Sequence, residues 1–196
     1  MIDITDCRDL TTLQAVVFMI LFLQSSARLS TCYSYIGIAL RSSLRMGLHR
    51  KTSIKFDPIE RETRKRVFWV VRKMDIYVGA LLGLPQMLSD DDIDQEDPAE
   101  VDDEFITAEG IKPMPQGRVA FIAGSNAHTR LVQVLQKVVR YIYPIKGLHG
   151  ANQKSGQAYV VSHAKIREIE RDLQLWMESL PMALRPGDDA PKDLIR

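Results

Sequence analysis

Residues 59–83 read IERETRKRVFWVVRKMDIYVGALLG. Val67, Val71, Met74, Val78 and Leu81 recur at alternating spacings of four and three, which places them on one face of an α-helix. Pro58 precedes the run and suits a first helical turn, where its missing N–H has no partner to lose. Gly83 and Pro85 end it. Glu60 and Glu62 fall in the first turn, where the helix dipole favours acids. Phe68 and Trp69 offer large surfaces for burial. Asp75 lies between apolar flanks, and a buried carboxylate is costly unless paired. Arg72 at i−3 and Arg41 on the preceding helix are the two candidate partners; the preferred reading is an ion pair locking two helices, the alternative a ligand-sensing carboxylate.

Four further helices are expected around this one. The first runs from about Asp9 to Leu23, with Thr11 or Thr12 as its cap. Ala15 to Leu23 reads AVVFMILFL, nine apolar residues against the roughly 20 a membrane span requires. Asp3, Asp6 and Asp9 precede it, unlike the basic start of a secretory signal. It reads as a buried core helix. A second helix runs from about Arg28 to Met46, with Ile36, Leu40 and Leu44 on one face and Gly47 as its stop. A fourth runs from about Gly117 to Tyr143, its buried face marked by Val132, Leu135, Val139 and Ile142. A loop follows over 144–157. The last helix runs from about Ala158 to Leu180, with Leu173 and Trp176 toward the core. Strand signals are weak throughout, so the fold class is all-α.

Composition excludes several functions. The chain has 196 residues, with 26 Lys plus Arg against 25 Asp plus Glu. So even a balance does not describe a protein that coats polyanions. Its two cysteines, Cys7 and Cys32, rule out a disulfide scaffold and a thiolate-rich zinc module. The four histidines, His49, His128, His149 and His163, include no pair at the helical spacing a metal site requires. Neither a Gly-rich phosphate loop nor a G-x-S-x-G elbow occurs. The run DDDIDQED from Asp90 invites a calcium reading, but an EF-hand loop starting there would need glycine where Gln95 stands and glutamate where Val101 stands. No enzyme is expected, no catalytic residue or metal ligand is assigned, and no cofactor is called for.

Charge is nonetheless patterned. Arg41 to Lys73 holds eleven basic residues and three acids, while Asp90 to Glu109 holds eleven acids and no Lys or Arg. Phosphate contact or nuclear import is one reading of the basic stretch. The preferred one is a helix face partnered by the acidic loop that follows it.

Five elements in order carry a family resemblance. Gly37-Ile-Ala-Leu-Arg41 with Arg45-Met-Gly47-Leu48-His49-Arg50 resembles the "GxAxR…GLHR" element of the fungal-specific transcription factor domain, the middle homology region of zinc-cluster regulators. Glu60, Glu62, Arg64, Lys65, Arg66, Phe68, Trp69 and Asp75 resemble its "ExExRRRxFW…D" helix. Gly83-Leu84-Pro85, the stretch Ser89 to Asp94 that includes Asp92, and Pro98 resemble its "GxP…DxDID…P" continuation. Leu13-Gln14-Ala15 is similar to the entry helix, and Leu173, Trp176, Leu180-Pro181 and Leu184 to the "LxxWxxxLPxxL" element. LSTCYSYIGIALR, RKMDIYVGALLGLPQMLSDDDIDQE and AHTRL…YIYPIKG look similar to one subgroup, the activators of fatty-acid and cutin catabolism with acetate regulators nearby.

The resemblance implies an irregular, incomplete multi-helix regulatory domain over 1–184, while Pro186, Gly187 and Pro191 mark 185–196 as a flexible tail. It implies a nuclear protein that modulates a carbon-source gene activator through other transcription-factor segments, co-regulators or self-association, with no membrane role. DNA would be reached only through a six-cysteine zinc cluster, which Cys7 and Cys32 cannot build. The signature residues read as architecture. The alternative is a fatty-acid or acyl-CoA sensor, whose candidate lining is Tyr33, Tyr35, Met74, Tyr77 and Met87.

Overall fold

The computed structural model describes residues 7–52, 54–142 and 161–185. Five helices dominate it: α1 (Leu10–Ser25), α2 (Leu29–Arg45), α3 (Pro58–Leu82), α4 (Phe121–Ile142) and α5 (His163–Ser179). The fold is all-α. The expected loop over 144–157, with His149, and the tail beyond Arg185 lie outside the described residues.

Helix α3 is the axis. Asp57 caps it by accepting the Glu60 N–H at 2.9 Å, Pro58 opens it, and Gly83 closes it in the left-handed conformation at φ +66°. Only glycine enters that region without a Cβ penalty. Helices α1 and α2 pack on one side of α3, and α4 packs on the other. The core joins Leu13, Val16 and Ile20 of α1 with Ile36 and Leu40 of α2 and Val67, Phe68, Val71, Met74 and Val78 of α3. Each such side chain, fully buried, contributes about 1.5–3 kcal/mol. Leu81 breaks the expected stripe: it is exposed, and its neighbour Leu82 packs against the core instead.

Three other expectations need correction. The cap of α1 is Asp9, not Thr11 or Thr12: its carboxylate accepts the Thr12 N–H at 2.8 Å and the Thr12 hydroxyl at 2.9 Å. The apolar run of α1 is buried on one side only. Phe18 and Phe22 are 72% and 70% exposed, and Leu21 is exposed beside them. Among the described residues, helix α5 packs mainly against α4. It therefore covers only a narrow stripe, with Ile169 buried and Trp176 donating its indole N–H to the Ala127 carbonyl at 2.8 Å, while Leu173 stays exposed. On α4, Val132 is buried, whereas Leu135, Val139 and Ile142 are half-buried.

Between α3 and α4 the acidic segment runs back along α3 as a strap, 86–105. It forms two short 3₁₀ turns, Asp90–Asp92 and Asp103–Phe105, and leads into a two-stranded hairpin pairing Ile106 with Ile111 and Thr107 with Gly110. This hairpin is the one strand pair among the described residues, and strands of two residues are too short to leave a periodic signal.

Candidate functional site

The signature residues converge where the strap crosses α2 and α3, and three knots hold it there. The first is buried. Arg72 is 1% exposed and Asp75 is 0% exposed, and the Arg72 guanidinium donates to Asp75 Oδ2 at 3.1 Å. Its other nitrogen reaches Asp90 of the strap at 3.0 Å and the Gln86 amide oxygen at 3.3 Å. Asp75 Oδ2 also accepts the Met87 N–H at 3.3 Å. Burial pushes the Asp75 carboxyl above its ordinary pKa, opposed by Arg72 and by the Met87 N–H. Arg41, the other candidate partner, is exposed, and its guanidinium lies beside Gly37.

The second knot joins the strap to the end of α2. Gly47, at φ +68°, turns the chain out of the helix. Leu48 is buried behind it. The His49 carbonyl accepts the N–H groups of Asp94 and Gln95, both at 3.1 Å. The Gln95 amide donates to the carbonyls of Leu48 at 2.8 Å and Arg50 at 3.1 Å. Asp94 accepts the Lys51 N–H at 2.9 Å. Trp69 of α3 donates its indole N–H to the Glu96 carbonyl at 2.9 Å.

The third knot lies nearer the start of α3. Glu62 is buried and accepts the Ala99 N–H at 2.7 Å. Arg66 pairs with Asp103 and donates to the Val101 carbonyl at 3.0 Å. From α4, Asn126 donates to the Pro98 carbonyl at 2.9 Å. Arg64 donates to the Met46 carbonyl at 2.7 Å and stacks on Phe56, 4.2 Å from the ring centre.

Lys65, Arg66 and Arg72 of α3 are thus partnered by the acidic strap. Asp92 stays exposed, and no knot uses its side chain. Pro85 enters through its carbonyl, which accepts the Tyr33 hydroxyl at 3.0 Å. Sequence reading did not single out Gln86, Gln95 or Asn126. Polar amides carry no periodic or charge signal, and their partners are backbone carbonyls and side chains far along the chain.

The knots tie the strap to α3, α4 and the end of α2. Among the described residues no group of three His, Cys, Asp or Glu is placed to hold a metal. No described helix is long and apolar enough to cross a membrane. Both cysteines are free and buried. Of the five residues suggested as a ligand lining, Met74 is buried in the core and Met87 borders an open cleft of about 430 Å³ shared with Leu84, Leu88, Gln136 and Arg140.

Glu96 makes the electrostatics testable. Lys65 at 2.8 Å and Lys51 at 3.1 Å hold its carboxyl down to about 2 from an ordinary 4.5. A depressed acid contributes stability that is present above its unfolded pKa and lost as pH falls toward the folded value. Its side chain is half exposed, so Glu96→Gln should cost less than about 1 kcal/mol at pH 7. The gap in urea midpoint between the two proteins should narrow as pH drops below about 4.5. A gap independent of pH would refute the assignment.

No solved structure matches the chain. Activator of stress genes protein 1 of Candida albicans is 45% identical over 207 residues, covering 100% of this chain and 21% of that protein. Activator of stress genes 1 of Saccharomyces cerevisiae is 45% identical over 190 residues, 95% of this chain and 19% of that one. Transcriptional activator protein acu-15 of Neurospora crassa is 33% identical over 175 residues, 89% and 18% respectively. The chain therefore spans about a fifth of the length of these relatives. They are transcription regulators, not enzymes. The model of the fungal specific transcription factor domain matches residues 2–178, and the chain belongs to that family.

Proposed function

We propose that this chain is the helical regulatory domain of a nuclear transcription regulator and modulates a carbon-source gene programme through protein contacts. In such a regulator, DNA is read by a zinc cluster, and two buried cysteines cannot form one. The observation that carries this reading is the open side of α1. From Leu10 to Ser25 the helix has no charged residue, yet Phe18, Leu21 and Phe22 face solvent on a helix whose other side is locked into the core. An apolar helix normally finds cover, and a patch of this kind marks a contact surface. Other segments of the regulator, a co-regulator or a second copy would meet it there.

The test joins the chain to a heterologous DNA-reading module and measures a promoter reporter in yeast. Phe18→Glu with Phe22→Glu should change reporter output severalfold while leaving protein level and helical circular dichroism intact, because neither ring supports the core. An unchanged output would refute the reading.

A fatty-acid or acyl-CoA sensor is the second reading. The open cleft of about 430 Å³ favours it, with Leu84, Met87, Leu88 and Val139 as apolar wall and Arg140 as a cation for a carboxylate. That volume lies in the range of small-molecule sites. A long-chain fatty acid should then raise the melting temperature, and Val139→Glu should abolish the rise.

A further inference from the structure

A second cleft, at the junction of α2, α3 and the strap, has a different character. Arg50, Lys51, Arg61, Arg64 and Lys65 line it against a single carboxylate, Glu96, and it encloses about 200 Å³. Two of the signature elements meet here, since Gly47 and Arg50 come from the end of α2 and Arg64 from α3. Like charges gathered round a concave site repel one another unless an anion joins them.

The duties of these cations differ. Lys51 and Lys65 share Glu96. Arg64 is held by the Met46 carbonyl and Phe56, with Glu60 at 3.6 Å. Arg50 and Arg61 are exposed and have no ion-pair partner among the described residues. The carbonyls at the end of α2 would oppose an anion. However, Arg64 covers that of Met46, and Gln95 covers those of Leu48 and Arg50. The side chain of Glu96, held by two ammonium groups, shows that the site already stabilises an oxyanion.

We propose that this pocket binds a phosphorylated small molecule by its phosphate. Two unengaged guanidinium forks suit the several oxygens of a phosphate monoester better than a single carboxylate. The volume fits a phosphate with a sugar-sized body. An extended polyanion fits less well, because the acidic strap continues from Glu96 through Asp97, Glu100, Asp102 and Asp103. The neighbouring phosphates of a nucleic acid would run onto those carboxylates.

The experiment is calorimetric titration and thermal unfolding of the purified chain with glucose 6-phosphate, inorganic phosphate, glucose and sodium chloride at matched ionic strength. Glucose 6-phosphate should bind and raise the melting temperature by a few degrees, whereas glucose and chloride should not. Arg50→Gln with Arg61→Gln should weaken binding by roughly tenfold or more. Neither side chain makes a described contact, so the unliganded melting temperature should hold. Lys112→Gln, exposed and remote, should bind as the parent does. Arg61→Gln alone serves if the double variant loses its helical signal. A rise equal to that with chloride, or undiminished binding by the arginine variants, would overturn the proposal. Binding of a short DNA duplex through these arginines without binding of either phosphate would overturn it in favour of nucleic acid. Inorganic phosphate matching glucose 6-phosphate would support the phosphate contact and show that the sugar adds nothing.

Discussion

Arg72→Ala is expected to destabilise the domain by about 3–5 kcal/mol, the cost of leaving one member of a buried ion pair alone. Three losses coincide. Asp75 keeps its place at 0% exposure with only the Met87 N–H to offset burial. Asp90 and Gln86 lose the guanidinium that ties the strap to α3. The removed side chain, 1% exposed, leaves a void in the core. For a chain of this size the melting temperature should fall by roughly 6–20 °C.

The pH dependence identifies the cause. Burial already raises the Asp75 pKa, and Arg72 opposes that rise. Removing Arg72 raises it further, so the folded variant binds a proton more readily than the unfolded chain. Stability then falls as pH rises through the unfolded pKa toward the raised folded one. The Arg72→Ala deficit should therefore be larger at pH 8 than at pH 5. Arg72→Met with Asp75→Leu should recover much of the loss, because an apolar pair of similar volume needs no counter-charge. A deficit that persists in the double variant and does not vary with pH would show that packing, not charge, holds this position.

What could be read in advance follows the range of the forces involved. The ends of α3 were legible because Pro58 and Gly83 act on the backbone beside them, whereas the Asp57 cap emerged only in the structure. The Arg72–Asp75 contact was legible because i and i+3 share a face of any helix. Its third member, Asp90, was not, since that contact depends on how the strap folds back. Opposite charge on α3 and on 90–109 foretold that the two segments would meet. It could not say that Lys65 would take Glu96 while Arg66 took Asp103. The open side of α1 was illegible for another reason. With no charged residue over 16 positions, the helix marks neither side as wet. Its two faces differ only in what lies against them. The same limit applies to Leu173, which has the composition of a core residue on a helix that packs mainly against α4.

Phe68→Ala should be nearly as costly as Arg72→Ala, for a reason that involves no charge. Phe68 is fully buried at the centre of α3 and meets Trp69 edge to face, with ring centres 5.4 Å apart and planes at 66°. Truncating it removes the transfer free energy of the ring and leaves a cavity that three packed helices can only partly collapse. Such changes cost about 3–5 kcal/mol. Phe68→Leu retains much of the volume and should cost less than half as much. Trp69→Phe makes an instructive comparison. It keeps a large ring but loses the bond to the Glu96 carbonyl, so its cost should be about 1 kcal/mol, near the ordinary net worth of a hydrogen bond. The expected order of chemical unfolding midpoints is parent, Trp69→Phe, Phe68→Leu, Phe68→Ala. The functional consequence separates scaffold from surface. Phe68→Ala should remove reporter activity together with soluble protein, whereas the Phe18 and Phe22 changes should alter activity in protein that remains folded. If Phe68→Ala left the midpoint within about 1 kcal/mol of the parent, α3 would not be the axis of this fold, and the rigid frame on which the α1 surface is presented would have to be sought elsewhere.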